Sequence, residues 1–274
     1  MAVVALISGY DSPGTTTSAV ALAACWPGGV VLADCDPRGG DVAVGWCGPQ
    51  LFGGELSAEV GVRSFLQATW RGYPATAQSL ASHLQSPANA PGVEVLVGVP
   101  NLEEGMGVGS GWQQVAAALA DTSRTSSVPG TGRDVVMDCG DVDLHTPWPL
   151  LESADLVLLV ARPTQLEPAA RAIRRVARRV AVSRLALLAC ASDPAGTTAL
   201  IEATGLLPAA ELPDDLTGAL PVLHALIEWE PARFERTALG RVAGRAARRL
   251  HRRLHARYDE ADMFIGYYPP VGSL

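Results

Sequence analysis

A chain of 274 residues, 48% apolar and only 18% charged, is long and apolar enough to bury a sizeable core as one α/β domain or two. No stretch approaches the run of about 18 uninterrupted apolar residues that a membrane-spanning helix requires. Its five cysteines form no C-x-x-C pair, so they are expected as reduced core residues of a cytoplasmic protein.

No basic region precedes the first apolar run, so a signal peptide is not expected, and residues 3–7 are predicted as a strand. Residues 8–17 then read Ser-Gly-Tyr-Asp-Ser-Pro-Gly-Thr-Thr-Thr, a G-x-x-x-x-G followed by hydroxyl residues and then by the apolar stretch 19–24. Strand, glycine loop and helix is the context of a phosphate-binding loop. In such a loop backbone N–H groups cradle the phosphates, a lysine neutralises the terminal ones and a Ser or Thr hydroxyl reaches magnesium. Here Thr15 holds the lysine position, and all 21 basic residues of the chain are arginine. Pro13 lacks an N–H. Asp11 places a carboxylate where terminal phosphates would lie, and like charges repel. Ser12 and Pro13 are predicted as N-cap and first residue of the helix. Losing one charge-assisted contact costs about 1.5–3 kcal/mol, roughly ten- to a hundredfold in affinity. The departures together predict little binding at millimolar nucleotide.

Residues 30–41, Val-Val-Leu-Ala-Asp-Cys-Asp-Pro-Arg-Gly-Gly-Asp, form an apolar strand ending in D-x-D-P-x-G. Asp34 reads equally well as an edge carboxylate, and Arg38 either as a substitute cation or as a solvated side chain. Further strands are predicted near 93–97, 134–138, 155–161 and 185–190, with loops at glycine-rich 105–111 and Ser/Thr/Gly-rich 121–132. Asp36 and Asp138 close their strands, where they serve either chemistry or the turn itself. The strands are continuous apolar runs, which suits a parallel sheet covered on both faces.

In this order and at these distances the segments 8–17, 30–41, 133–141 and 154–163 resemble the ParA/MinD family of deviant Walker-type ATPases, which partition DNA, place division sites and position cell-surface machines. The resemblance runs over about residues 2–257. It implies a single P-loop NTPase-like α/β domain at 1–258, a mostly parallel sheet with helices on both faces, followed by a separate tail at 259–274. It makes Gly9 and Gly14 the loop glycines, Thr16 the magnesium hydroxyl and Thr17 a phosphate contact. Asp36 matches the carboxylate that positions the attacking water, and Asp138 the one behind the metal. Tyr10 stands at the family's signature lysine and Thr15 at the ordinary one, so both cationic groups are replaced. Residues 206–215 resemble the leucine-proline segment that borders the base, whereas Ala191-Ser192-Asp193 stands where the family often reads the base with an asparagine. The expectation is a homodimeric, non-catalytic positioning factor for a pilus, secretion, division or partition machine. ATP or ADP with magnesium would bind weakly or not at all, and the partner would be another protein. The alternatives are a weak Mg-ATPase with a substitute arginine, and a DNA-associated partition protein.

Charge is uneven along the chain. Residues 1–161 carry 5 arginines against 16 acidic residues, and residues 162–274 carry 16 against 12. The arginines cluster in two predicted helices, 168–180 and 236–258. In the second, Leu239, Val242, Ala246, Leu250 and Leu254 recur at helical spacing. Three readings follow: a solvated outer face over a packed stripe, non-specific contact with DNA phosphates, or a helix lying on an anionic membrane. Either contact would place the protein at the nucleoid or the membrane surface. The apolar and aromatic tail at 263–270 either folds back or docks on a partner.

Overall fold

The computed structural model describes residues 2–10, 14–123 and 133–256. Seven strands, β1 (Val3–Ser8), β2 (Val30–Asp34), β3 (Val93–Leu96), β4 (Asp134–Asp141), β5 (Leu156–Ala161), β6 (Leu185–Cys190) and β7 (Pro208–Leu212), form one sheet in the order β3-β2-β4-β1-β5-β6-β7. Every pairing is parallel. Successive residues of a strand point to opposite faces, and this splits each apolar run between two cores. Val4, Leu6, Val30, Leu32, Leu156 and Leu158 join one cluster. Val3, Ala5, Ile7, Val31, Ala33 and Val157 join the other.

In chain order the helices are α1 (Thr15–Ala24), α2 (Gly48–Phe52), α3 (Val62–Trp70), α4 (Ala77–Ala81), α5 (Leu102–Val108), α6 (Gly111–Thr122), α7 (Trp148–Ser153), α8 (Leu166–Val176), α9 (Pro194–Thr204), α10 (Leu216–Leu223), α11 (Pro231–Phe234) and α12 (Ala238–His255). Residues of α1, α10 and α12 fill the first core, and those of α3, α6, α7, α8 and α9 fill the second. The sheet is therefore covered on both faces, and its strand C-termini open on one end of the molecule.

Several expectations need correction. α1 starts at Thr15 after Gly14, whose φ of 101° suits glycine, and no side chain caps it. Residues 11–13, which include Asp11 and the expected Ser12-Pro13 start of the helix, lie outside the described residues. The glycine-rich stretch expected as a loop is largely helical: Asn101 Oδ1 accepts the Glu104 N–H at 3.0 Å and starts α5, and α6 begins at Gly111. Gly105 is there for space, because a Cβ on it would come within 1.9 Å of the Pro37 carbonyl oxygen. Most of 121–132 and all of the tail 259–274 also fall outside the described residues.

The stripe of α12 is core: Leu239, Ala243, Ala247, Leu250 and Leu254 are buried, while Arg241, Arg245, Arg248, Arg249 and Arg252 stay exposed. Burying each leucine contributes about 1.5–3 kcal/mol. The apolar face that a membrane-lying helix would insert is thus already used within the domain, which overturns that reading of the helix.

Candidate functional site

The ends of β1, β2 and β4 bring the predicted residues together. Thr16, in the first turn of α1, donates its hydroxyl to the Asp138 carboxylate, and the Gly140 N–H donates to Asp138 Oδ1 at 3.1 Å. Burial nevertheless pushes the Asp138 carboxyl up to about 7, with Asp36 and Asp41 adding to the rise. Asp36 is raised to about 6, first by burial and then by Asp141 and Asp41, while the Arg38 N–H and guanidinium oppose the shift. Gly140 makes room for Asp36: its φ is 64°, and a Cβ there would lie 2.3 Å from the Asp36 carboxyl carbon.

Asp34 is not an edge carboxylate. It ends the strand between β3 and β4 and is fully buried. Neither of its oxygens finds a partner at hydrogen-bonding geometry among the described residues. Burial and then Asp138 raise it well above the ordinary carboxylate range, with the Asp36 N–H opposing. Gly40 and Gly98 leave it space, since a Cβ on either would approach its carboxyl group within 3 Å. Three neighbouring acids, Asp34 and Asp138 buried and Asp36 half-buried, form an acidic nest whose oxygens have the hard character that magnesium takes.

Arg38 is neither free to swing nor merely solvated. Its Nη1 donates to Asp141 Oδ2 at 2.7 Å and its Nη2 to Asp143 Oδ2 at 2.7 Å. Asp141 also accepts the Ser8 hydroxyl, so this pair ties β1, β4 and the turn after β2.

A cleft of about 240 Å³ lies beside this nest, framed by α1, the end of β5 and residues 212–216. Gly14, Thr16 and Thr17 line it, whereas Thr15 does not: its side chain is buried, and Oγ1 has no partner among the described residues. Gly9 packs away from the cleft, where a Cβ would come within 2.5 Å of the Pro168 carbonyl oxygen. Tyr10 is 63% exposed, and its carbonyl accepts a hydrogen bond from Gln165 Nε2. At the polar end, Asp41, Asp214 and Asp215 line the cleft with a single cation among the described residues, Arg162, whose Nη2 stands 3.6 Å from Asp214 Oδ1. Asp215 is engaged at two helix starts, accepting the Gly218 N–H at 3.2 Å and the Leu239 N–H at 2.8 Å.

The other end of the cleft is apolar, made by Leu212, Leu216, Ala219, Leu223 and Leu239 with Cys190. Of the segment expected to border a base, residues 212–215 line the cleft. Asp193 does not: its carboxylate caps α9, accepting the Gly196 N–H at 2.7 Å, and Ser192 Oγ meets Thr197 Oγ1 at 2.9 Å. Arg162 escaped the sequence reading. The available signal was a lone arginine closing the apolar run of β5, just before Pro163.

No family model matches the sequence, and no curated protein does either. Solved structures do match the fold. A ParA family ATPase from Chlorobium tepidum superposes with a TM-score of 0.65 at 15% identity, covering 91% of this chain and 98% of that one. The cell division ATPase MinD of Pyrococcus furiosus gives 0.59 at 15% identity, over 92% and 98%. An ATP complex of Cyanothece McdA gives 0.59 at 13% identity, over 92% and 96%. At these TM-scores and with near-complete mutual coverage, the chain has the fold of the ParA- and MinD-type ATPases.

Proposed function

We propose that this protein is a ParA/MinD-like positioning or partition factor that works as a scaffold without hydrolysing nucleotide. One observation carries the reading. Among the described residues, three carboxylates and one arginine line the polar end of the cleft, the arginine itself engaged by Asp214, and the position of the phosphate-binding lysine holds the buried hydroxyl of Thr15. A triphosphate brings several negative charges, and without a compensating cation in a partly dry site they are repelled. The buried acids would still suit magnesium, but the phosphate side is a poor match, and no catalytic step is derived through it. The role in positioning draws on structural neighbours that include a cell division ATPase and rests on analogy of fold. The protein is proposed to act in the cytoplasm as a homodimer that presents a protein-binding surface.

Calorimetric titration with ATP and ADP, with and without magnesium, tests this. The expected result is no heat up to millimolar nucleotide. Binding at micromolar concentration would overturn the reading and make the protein a nucleotide switch.

A second reading has one observation in its favour. Arg162 lines the same cleft as Thr17, and in this reading it supplies the missing charge to a weak Mg-ATPase that uses Thr16, Asp36 and Asp138. Slow magnesium-dependent phosphate release, lost in both Arg162→Ala and Asp138→Ala, would support it.

A further inference from the structure

At the opposite end of β4, about 23 Å from Asp141 at ~3.3 Å per residue, Asp134 meets two histidines of α12. His251 and His255 are four residues apart and so share one helix face. Their rings stack with centroids 4.1 Å apart at 18°. His255 Nε2 lies 2.9 Å from Asp134 Oδ2 and 3.0 Å from Oδ1, and His251 Nε2 lies 3.6 Å from Oδ2. One ligand atom from each of the three residues lies within 4.8 Å of the others.

The geometry points to a site for a single zinc-class transition-metal ion, bound by Nε2 of His251, Nε2 of His255 and the carboxylate of Asp134. Satisfying Asp134 requires only one histidine proton, and His255 already supplies that contact. His251 brings a second nitrogen to the same oxygen at a distance beyond hydrogen-bonding reach. Tetrahedral zinc with bonds of about 2.0–2.1 Å holds its ligand atoms roughly 3.3 Å apart, and the observed 2.9 and 3.6 Å bracket that spacing.

The carboxylate is held in place from behind. Ala2 N–H donates to Oδ1 at 2.7 Å, and Trp26 Nε1–H donates to Oδ2 at 2.8 Å. Such outer contacts orient metal ligands. Trp26 also meets the His251 ring edge to face at 6.1 Å. Asp134 is 4% exposed, against 27% and 31% for the two histidines, so the carboxylate is dry and the imidazoles face solvent. Two imidazoles and one carboxylate favour zinc, nickel or copper over magnesium and calcium. Bound there, the ion would clamp the last turns of the arginine-rich helix to the start of β4, independently of the cleft.

The test uses the untagged full chain, freed of metal by a chelator and titrated with zinc against a chromophoric indicator dye. Thermal midpoints are recorded in parallel. One equivalent should bind at micromolar concentration or tighter, and millimolar magnesium should not displace it. His251→Ala, a partly exposed position that leaves the Asp134 to His255 contact intact, should weaken binding at least tenfold. The double variant with His255→Ala should abolish it and remove the zinc-dependent rise in midpoint that binding to the folded state produces. Cobalt in place of zinc should give the absorption bands of a tetrahedral nitrogen and oxygen site. Absence of stoichiometric binding, or zinc binding that persists in the double variant, would overturn the assignment.

Discussion

Thr16 donates its hydroxyl to Asp138, joining the first turn of α1 to the end of β4. The pair links two residues 122 positions apart in the sequence, with the acids Asp34 and Asp36 close enough to couple to Asp138.

Its pH response follows from the raised carboxyl groups. Asp138 moves from 3.8 to about 7 and Asp36 from 3.8 to about 6 on folding. Between the ordinary and the folded value the native state holds protons that the unfolded chain has released, so these groups stabilise at acid pH and the contribution is lost as pH rises. The thermal midpoint should therefore fall as pH rises from about 4 to about 7. Asp138→Asn, which no longer titrates, should flatten that slope; an equal slope in both proteins would count against the burial of Asp138.

Gly140 is constrained twice, by its φ of 64° and by the Asp36 carboxyl it faces. Gly140→Ala must adopt a left-handed backbone and displace Asp36. The expected loss is on the order of 1–3 kcal/mol, measured by denaturant unfolding, with a changed pH profile as Asp36 moves.

The two arginines near the cleft should behave differently. Arg38→Ala breaks the ties to Asp141 and Asp143 and should lower stability. Arg162→Ala removes the cation lining the cleft, and any residual binding of ADP or inorganic phosphate should disappear with it. Phosphate binding that survives Arg162→Ala but not Arg38→Ala would reverse this assignment.

On α12 the two faces can be separated by mutation. Leu250→Ala opens the core and should cost about 2–5 kcal/mol. Arg245→Ala, Arg248→Ala and Arg249→Ala lie on the exposed face and should each change stability by about 0.5 kcal/mol or less. If that face contacts DNA phosphates, binding at low salt should weaken in the triple variant and fall steeply with added salt in the parent; no binding to DNA at low salt would remove this role for the helix.

Six of the seven strands were legible because they are apolar runs, interrupted by Glu94 in the edge strand β3 and by the aspartates of β2 and β4. β7 was not, because Pro208-Ala-Ala-Glu-Leu is short, small in side chain and at the sheet edge, with Glu211 facing solvent. α5 was hidden by glycines that read as breakers, although Gly105 is there because the Pro37 carbonyl leaves no room for a Cβ.

The sequence by itself determined the strand-loop-helix order, the loss of both lysines and the candidacy of Thr16, Asp36 and Asp138, since residue identity and local periodicity are properties of a linear chain. Tertiary structure decided what each group faces. It buried Asp34, tied Arg38 to Asp141 and Asp143, put Arg162 in the same cleft as Thr17 and brought His251 and His255 to Asp134. These outcomes depend on which strand ends and helix faces the parallel sheet places side by side, and long-range packing rather than local pattern fixes that arrangement.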